Sequence, residues 1–191
     1  MTQHKLLINR ELTLKDVPLI TSYWQSLTSD DIKRMYIDLT KLNFGEELAM
    51  RLSKTVDTPP SERQYDPLIW EIDTQAVGVT NLNNIERGEQ ANIHLHIFSK
   101  LNRGKGFGRC LFMLSVQKYL VRHRLKRVIC EPASSNPDPN GLMRSLGIPV
   151  VRTYVTKTPS PICFDHEVNR YEIDHTLMEL VMDRLSEGTR K

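Results

Sequence analysis

The stretch IFSKLNRGKGFGRCLF, Ile97–Phe112, decides the reading of this chain. Three glycines stand at alternate positions, Gly104, Gly106 and Gly108, with Arg103 and Lys105 set among them. An alternating strand pattern, ANIHLHIF (Ala91–Phe98), runs into it, and an apolar helical pattern from Phe107 to about His123 runs out of it. Glycine is costly at a helix start unless something has to come close to the backbone there. A strand that passes through a glycine-rich turn into a helix leaves unpaired N–H groups at the positive end of the helix dipole, which makes an anion site. A purely structural turn is the other reading.

Spacing narrows the anion. The nucleotide loop G-x-x-x-x-G-K-[ST] does not match. The dinucleotide fingerprint G-x-G-x-x-G fails too, because its third glycine would fall on Arg109, and the strand ahead of the turn is not the first of the fold. What the stretch does contain is R-x-x-G-x-G, at Arg103, Gly106 and Gly108.

Outward from the glycines, the chain reads as strand, helices, three strands, helix, strand, helix, two strands and a closing helix. LLINREL (Leu6–Leu12) is the first strand. Two helices follow, with Thr13 as N-cap of the first and Ser29 or Asp30 capping the second. A third helical piece is FGEELAMRLSK, and the Pro-rich Thr55–Pro67 is a loop suited to a mobile lid. LIWEI and AVGVTNL, separated by DTQ, form a hairpin. On the glycine helix, Phe107, Cys110, Leu111, Leu114 and Val121 share one face. RVICE (Arg127–Glu131) is a buried strand, and NPDPNGLMRSLG is a short helix stopped by Gly147. VVRTYVT and VNRYEI are the last strands, joined by KTPSPICFDHE, and a helix from about Thr176 to Leu185 closes the chain. The fold class expected is α/β (α+β): a mixed, mostly antiparallel sheet of about seven strands with helices on both faces. The strand–helix–strand unit around the glycines is expected to be a right-handed parallel crossover.

Motif and element order together resemble the GNAT superfamily of acyltransferases, whose acetyl-coenzyme A motif is R-x-x-G-x-G. PNGLMRSLGI (Pro139–Ile148) is similar to that family's Asn-led helix ending in Gly and an apolar residue. The opening REL…DV…W resembles the branch that includes ribosomal-protein-type acetyltransferases. The resemblance implies one acyltransferase domain over residues 1–191: an acceptor-side region 1–67, an acyl-CoA core 68–173, and a C-terminal helix and tail 174–191. It implies that Arg103, Gly104, Lys105, Gly106, Phe107, Gly108 and Arg109 hold the coenzyme A pyrophosphate. Ile97, Phe98 and Ser99 would pair with the pantetheine amides, and either Asn136 or Asn140 would lie beside that arm. The cosubstrate implied is acetyl-CoA or another acyl-CoA, with no metal. The activity implied is transfer of an acetyl or other short acyl group to an amine by direct attack, on a small amine or a protein N-terminus.

Such a transfer needs a group that takes a proton near neutral pH. His94 and His96 alternate with Phe98 on one strand face, and imidazole titrates in that range. Serotonin-type N-acetyltransferases resemble this pair, with His94 at the position of their second histidine. Glu131, at the end of the neighbouring strand, is the third candidate. In many GNAT relatives a tyrosine protonates the departing thiolate; aligned on Gly147, its place is held here by Met143, which leaves Tyr154, Tyr171 or water. That departure favours an alternative, a GNAT-fold protein that binds acyl-CoA without turnover.

The rest of the chain sets bounds. It has 191 residues, 39% apolar and 26% charged, with net charge +3, and mean hydropathy −0.40. That charge is too mild to argue for nucleic acid; the basic run Val121–Arg127 reads first as a solvated helix end, with binding of the adenosine 3′-phosphate or of nucleic acid as the lesser readings. Cys110, Cys130 and Cys163 are odd in number and widely spaced, so neither a disulfide framework nor a zinc site is expected. With no signal peptide or apolar span, a cytoplasmic protein without a membrane partner is expected, with a homodimer as the candidate assembly.

Overall fold

The computed structural model describes residues 5–41, 45–156 and 162–188. Its strands are β1 (Leu7–Glu11), β2 (Asp66–Ile72), β3 (Gln75–Glu86), β4 (Gln90–Ile97), β5 (Arg127–Cys130), β6 (Arg152–Thr156) and β7 (His166–Asp174). Its helices are α1 (Val17–Gln25), α2 (Ser29–Arg34), α3 (Glu46–Asp57), α4 (Phe107–Arg122), α5 (Pro137–Ser145) and α6 (His175–Gly188). The strand order is β1-β2-β3-β4-β5-β7-β6, and β1–β2, β2–β3, β3–β4 and β6–β7 are antiparallel. This is the mixed, mostly antiparallel sheet expected. The chain forms two compact units: residues 1–12, 60–128 and 173–191, and residues 13–59 and 129–172. Strand β5 begins in the first and ends in the second.

The first unit is a four-stranded meander with α4 and α6. Its tightest turn is Asp73–Thr74, where both residues have positive φ, 51° and 70°. That is the two-residue turn whose twist suits a hairpin. Gly78 stands opposite Ile97, and a Cβ there would meet the His96 carbonyl at 2.6 Å, so β3 and β4 close up only around glycine. Helix α4 packs on β1, β3 and α6. It buries Leu111, Phe112, Met113, Val116, Tyr119 and Leu120, whereas Val121 is exposed. The narrow stripe expected on α4 is therefore a wider face, because the helix is covered by both sheet and α6.

Polar bonds fix α4 on the sheet. Ser115 Oγ accepts from Asn9 Nδ2 (2.7 Å) and Trp70 Nε1 (2.9 Å) and donates to the Leu111 carbonyl (2.9 Å). Tyr119 donates to the Asp66 carbonyl at 2.8 Å and lies 3.1 Å from Thr80 Oγ1. One turn on, Arg122 and His123 reach the Asp66 carboxylate, at 2.8 and 2.9 Å, and Arg122 also holds Glu11. Arg63 completes the network, 2.9 Å from Asp66 and 3.0 Å from Glu11. Two expectations change here. The basic run at Val121–Arg127 is not simply a solvated helix end, since Arg122 and His123 turn inward to a buried carboxylate. The Pro-rich loop is pinned by Arg63, itself buried.

In the second unit, α2 is capped by Thr28 rather than by Ser29 or Asp30. Thr28 Oγ1 accepts from Asp31 N at 3.2 Å, and Asp31 bonds back to Thr28 in a capping box. Helix α3 continues to Asp57, into the segment expected as loop. Gly147 follows α5 with φ 69°, the C-cap role expected. The first five residues of the joining segment KTPSPICFDHE, 157–161, lie outside the described residues.

Burial alone would raise the Asp66 carboxyl, but His123, Arg122 and Arg63 outweigh it and hold it below the usual carboxylate range. Its folded-state affinity for protons is thus lower than in the unfolded chain. The stability it contributes is present above about pH 4 and is lost as pH falls through the folded value. Asp66→Ala should lower the unfolding free energy by about 3 kcal/mol, by removing the buried carboxylate and leaving Arg63 and Arg122 to share the half-exposed Glu11 alone. It should also flatten the acid limb below about pH 4. Urea unfolding of both proteins at neutral and acid pH reads both effects.

Candidate functional site

The glycine stretch leaves β4 through a short 3-10 turn, Lys100–Asn102. Ser99 shapes that turn: its carbonyl accepts from Asn102 N (3.0 Å) and its Oγ from Leu101 N (3.2 Å). Gly104 and Gly106 have φ of 72° and 83°, the left-handed region, and Gly106 is the N-cap of α4. No side chain caps the helix, and its first turn carries no acidic residue. A Cβ at Gly104 or Gly108 would meet nothing within 4 Å. Uncapped N–H groups, glycines bordering open space and cations at Arg103, Lys105 and Arg109 make a cradle that fits a phosphate group. Lys5, 5.4 Å from the Phe107 ring centroid, adds a cation that the sequence pattern did not reveal.

The same unit carries the two histidines. In the β3–β4 register Asn81 lies opposite His94, Val79 opposite His96 and Asn83 opposite Asn92. These side chains share the sheet face away from α4, because Thr80, one residue on from Val79, meets Tyr119 on the other face. His94 Nε2 lies 3.2 Å from Asn83 Oδ1. Burial, with the neighbouring charges of His94 and Arg103, pushes the His96 imidazole down to about 3. His96 is therefore neutral at any physiological pH. Of the pantetheine candidates, Phe98 already donates its N–H to the Val77 carbonyl at 2.9 Å.

The remaining candidates belong to the other unit. Glu131 Oε1 accepts from Tyr154 Oη at 2.6 Å and from Arg170 at 2.9 Å. Burial and that bond to Glu131 raise the Tyr154 hydroxyl above its usual range. Arg170 also donates to Glu172 at 2.7 Å. Met143 is fully buried. Tyr171, whose hydroxyl burial likewise raises, donates to Asn140 Oδ1 at 2.8 Å.

The two asparagines separate clearly. Asn140 Nδ2 donates to the Ala133 (2.8 Å) and Asn136 (2.6 Å) carbonyls, and its Oδ1 also accepts from Asn169 (2.9 Å). Its hydrogen-bonding capacity is taken up inside the unit. Asn136 is the N-cap of α5, its Oδ1 3.3 Å from Asp138 N.

No protein-family model and no curated protein matches the chain. Solved structures do. Spermidine N-acetyltransferase from Vibrio cholerae, solved with CoA and spermine, superimposes with a TM-score of 0.71 at 19% identity, covering 91% of this chain and 98% of that one. The microcin C7 self-immunity acetyltransferase MccE, solved with acetyl-CoA and AMP, gives 0.69 at 16% identity over 88% and 92%. An uncharacterized protein from Bacillus halodurans gives 0.68 at 14% over 93% and 88%. The fold is that of the GNAT acetyltransferases. None of these structures distinguishes the ribosomal-protein-type branch.

The internal role of Asn140 has a measurable consequence. Asn140→Ala should cost about 2–4 kcal/mol in denaturant unfolding, since it strands several buried partners. Asn136→Ala should cost about 1 kcal/mol, the loss of a cap.

Proposed function

We propose that this chain is an acyl-coenzyme A-dependent N-acyltransferase, moving an acetyl or other short acyl group to an amine by direct attack without a covalent enzyme intermediate. The observation that carries the reading is the bare glycine cradle at the start of α4, directly behind β4, in a chain with an N-acetyltransferase fold. Relatives of that fold have been solved with CoA and with acetyl-CoA. Residues Arg103–Arg109 would hold the pyrophosphate, and Ile97–Ser99 would lie along the pantetheine arm. Asn136 suits that arm better than Asn140, whose amide is already committed. The acyl-CoA supplies an activated carbonyl. The chain is proposed to act as one domain in the cytoplasm, alone or as a homodimer. With Arg122 and His123 bound to Asp66, the basic run gives little support to a nucleic-acid partner.

Of the three proton-transfer candidates, His94 suits a base best. His96, held neutral, suits a hydrogen-bonding group for the acceptor. Glu131, with Arg170 and Tyr154 on one oxygen, suits a structural ion pair. The second reading, an acyl-CoA binder without turnover, draws support from buried Met143 and from two tyrosines whose hydroxyls serve internal acceptors.

Acetyl-CoA at millimolar concentration should raise the melting temperature of the protein. Gly106→Asp should abolish that shift, and so should Gly108→Asp, which introduces the same carboxylate at a position without positive φ and thus without backbone strain. No shift with the unaltered protein would end the acyl-CoA reading. The histidines separate the enzyme from the binder. His94→Ala/His96→Ala should lower kcat by about 10²–10⁴-fold in an acetyl-CoA consumption assay and leave the thermal shift intact. Unchanged turnover would remove both from the mechanism.

A further inference from the structure

A glycine inside a strand weakens it, and marks either a bulge or a backbone that comes close. Gly78 in β3 marks both. On its β2 side the register passes from Glu71 opposite Ala76 to Trp70 opposite Gly78, so Val77 is an extra residue, a β-bulge. On its β4 side Gly78 faces Ile97, and a Cβ would stand 2.6 Å from the His96 carbonyl oxygen and 3.4 Å from the Ile97 Cα. Both obstacles are main-chain atoms, so no side chain can turn aside to relieve them.

This close approach fixes the direction of the main chain at the end of β4. One step further on, Phe98 donates its N–H to the Val77 carbonyl at 2.9 Å. Bonded and non-bonded pairs alternate along an antiparallel ladder, so Gly78 and Ile97 form a non-bonded pair. The N–H and C=O of Ile97 therefore point to the other edge of β4. Strand β5 does not extend that far. It starts beside Glu89, whose carbonyl accepts from Arg127 N at 3.2 Å, and it has four residues. At about 3.3 Å a residue it is spent well before Ile97, at the far end of β4.

We propose that Gly78, with the Val77 bulge beside it, is a positioning residue for the pantetheine arm: it sets where the Ile97 N–H and C=O stand relative to the phosphate cradle at Gly104–Gly108. This rests on the acyltransferase reading and gives β3 a part in it. Gly78 itself touches no cosubstrate; it acts through β4. A methyl group at position 78 would push His96 and Ile97 away from β3. Helix α4 would keep its place, because Ser115 and Tyr119 hold it on β1, β2 and β3. Arm site and cradle would each be intact but out of step.

Two ligands read the two parts separately. Coenzyme A engages the cradle and the arm site. Adenosine 3′-phosphate 5′-diphosphate, which is coenzyme A without its pantetheine, engages the cradle alone. Each is titrated calorimetrically into the unaltered protein and into Gly78→Ala, below the melting temperature of both. The Kd for coenzyme A should rise about tenfold in the variant, the order of one lost hydrogen bond, while that for the truncated ligand changes by less than about twofold. Equal weakening of both ligands means general damage to the fold and overturns the proposal, as does an unchanged affinity for coenzyme A. Amide hydrogen exchange on the unaltered protein tests the same geometry should Gly78→Ala not fold. Coenzyme A should slow exchange at Ile97, and the truncated ligand should not; slowing by both or by neither overturns the proposal. The acyl-CoA reading fails separately, since in that case neither ligand binds the unaltered protein at all.

Discussion

The position of α4 on the sheet is the constraint on which the rest of its unit depends. A helix with glycine at its N-cap and second position has a weak start, and no side chain caps α4 to strengthen it. Its anchorage comes from further along. Ser115 is bonded to β1 and β2 through Asn9 and Trp70, and Tyr119 to β2 and β3 through Asp66 and Thr80. Four residues apart, the two anchors lie on one helix face, so they fix both its rotation and its height above the strands. With α4 held there, its uncapped N-terminus follows β4 across the 3-10 turn at Lys100–Asn102 and the left-handed Gly104 and Gly106.

The buried charges beyond Tyr119 serve the same anchorage at its other end. Asp66 alone on β2 would be a costly group to bury. With Arg63, Arg122 and His123 around it, it joins the loop before β2, the strand itself and the last turn of α4 through one carboxylate. Such clusters add little over a well-packed apolar substitute, but removing one member is expensive because the others remain charged. The network therefore specifies how the elements meet more than it adds to stability.

How legible all this was depends on whether a signal was local. The glycine cradle announced itself, because alternate glycines between a strand and a helix have few other uses. The Asp73–Thr74 turn was visible as a short polar gap between apolar runs. Thr28 was missed as the cap of α2 because Ser29 and Asp30 are equally good cap residues; the capping box with Asp31 decides among them. Arg122 and His123 read as surface because nothing in VRHRLKR reveals a carboxylate 56 residues earlier. Asn136 and Asn140 were left as alternatives because a resemblance carries over residue types and not their hydrogen-bond partners. Asn81, Asn83 and Asn92 drew no notice, since an asparagine in a strand signals little until register sets Asn81 opposite His94 and Asn83 opposite Asn92.

That last placement bears on why the usual acid and the obvious base are both absent from their expected parts. A tyrosine at position 143 would have to sit where Met143 is fully buried, and Glu131 is committed to Arg170 and Tyr154. What the strand face away from α4 offers instead is an imidazole beside amides, His94 bonded to Asn83 and opposite Asn81. Under the proposed acyl transfer, the protein's part is to orient the acceptor and to relieve it transiently of one proton.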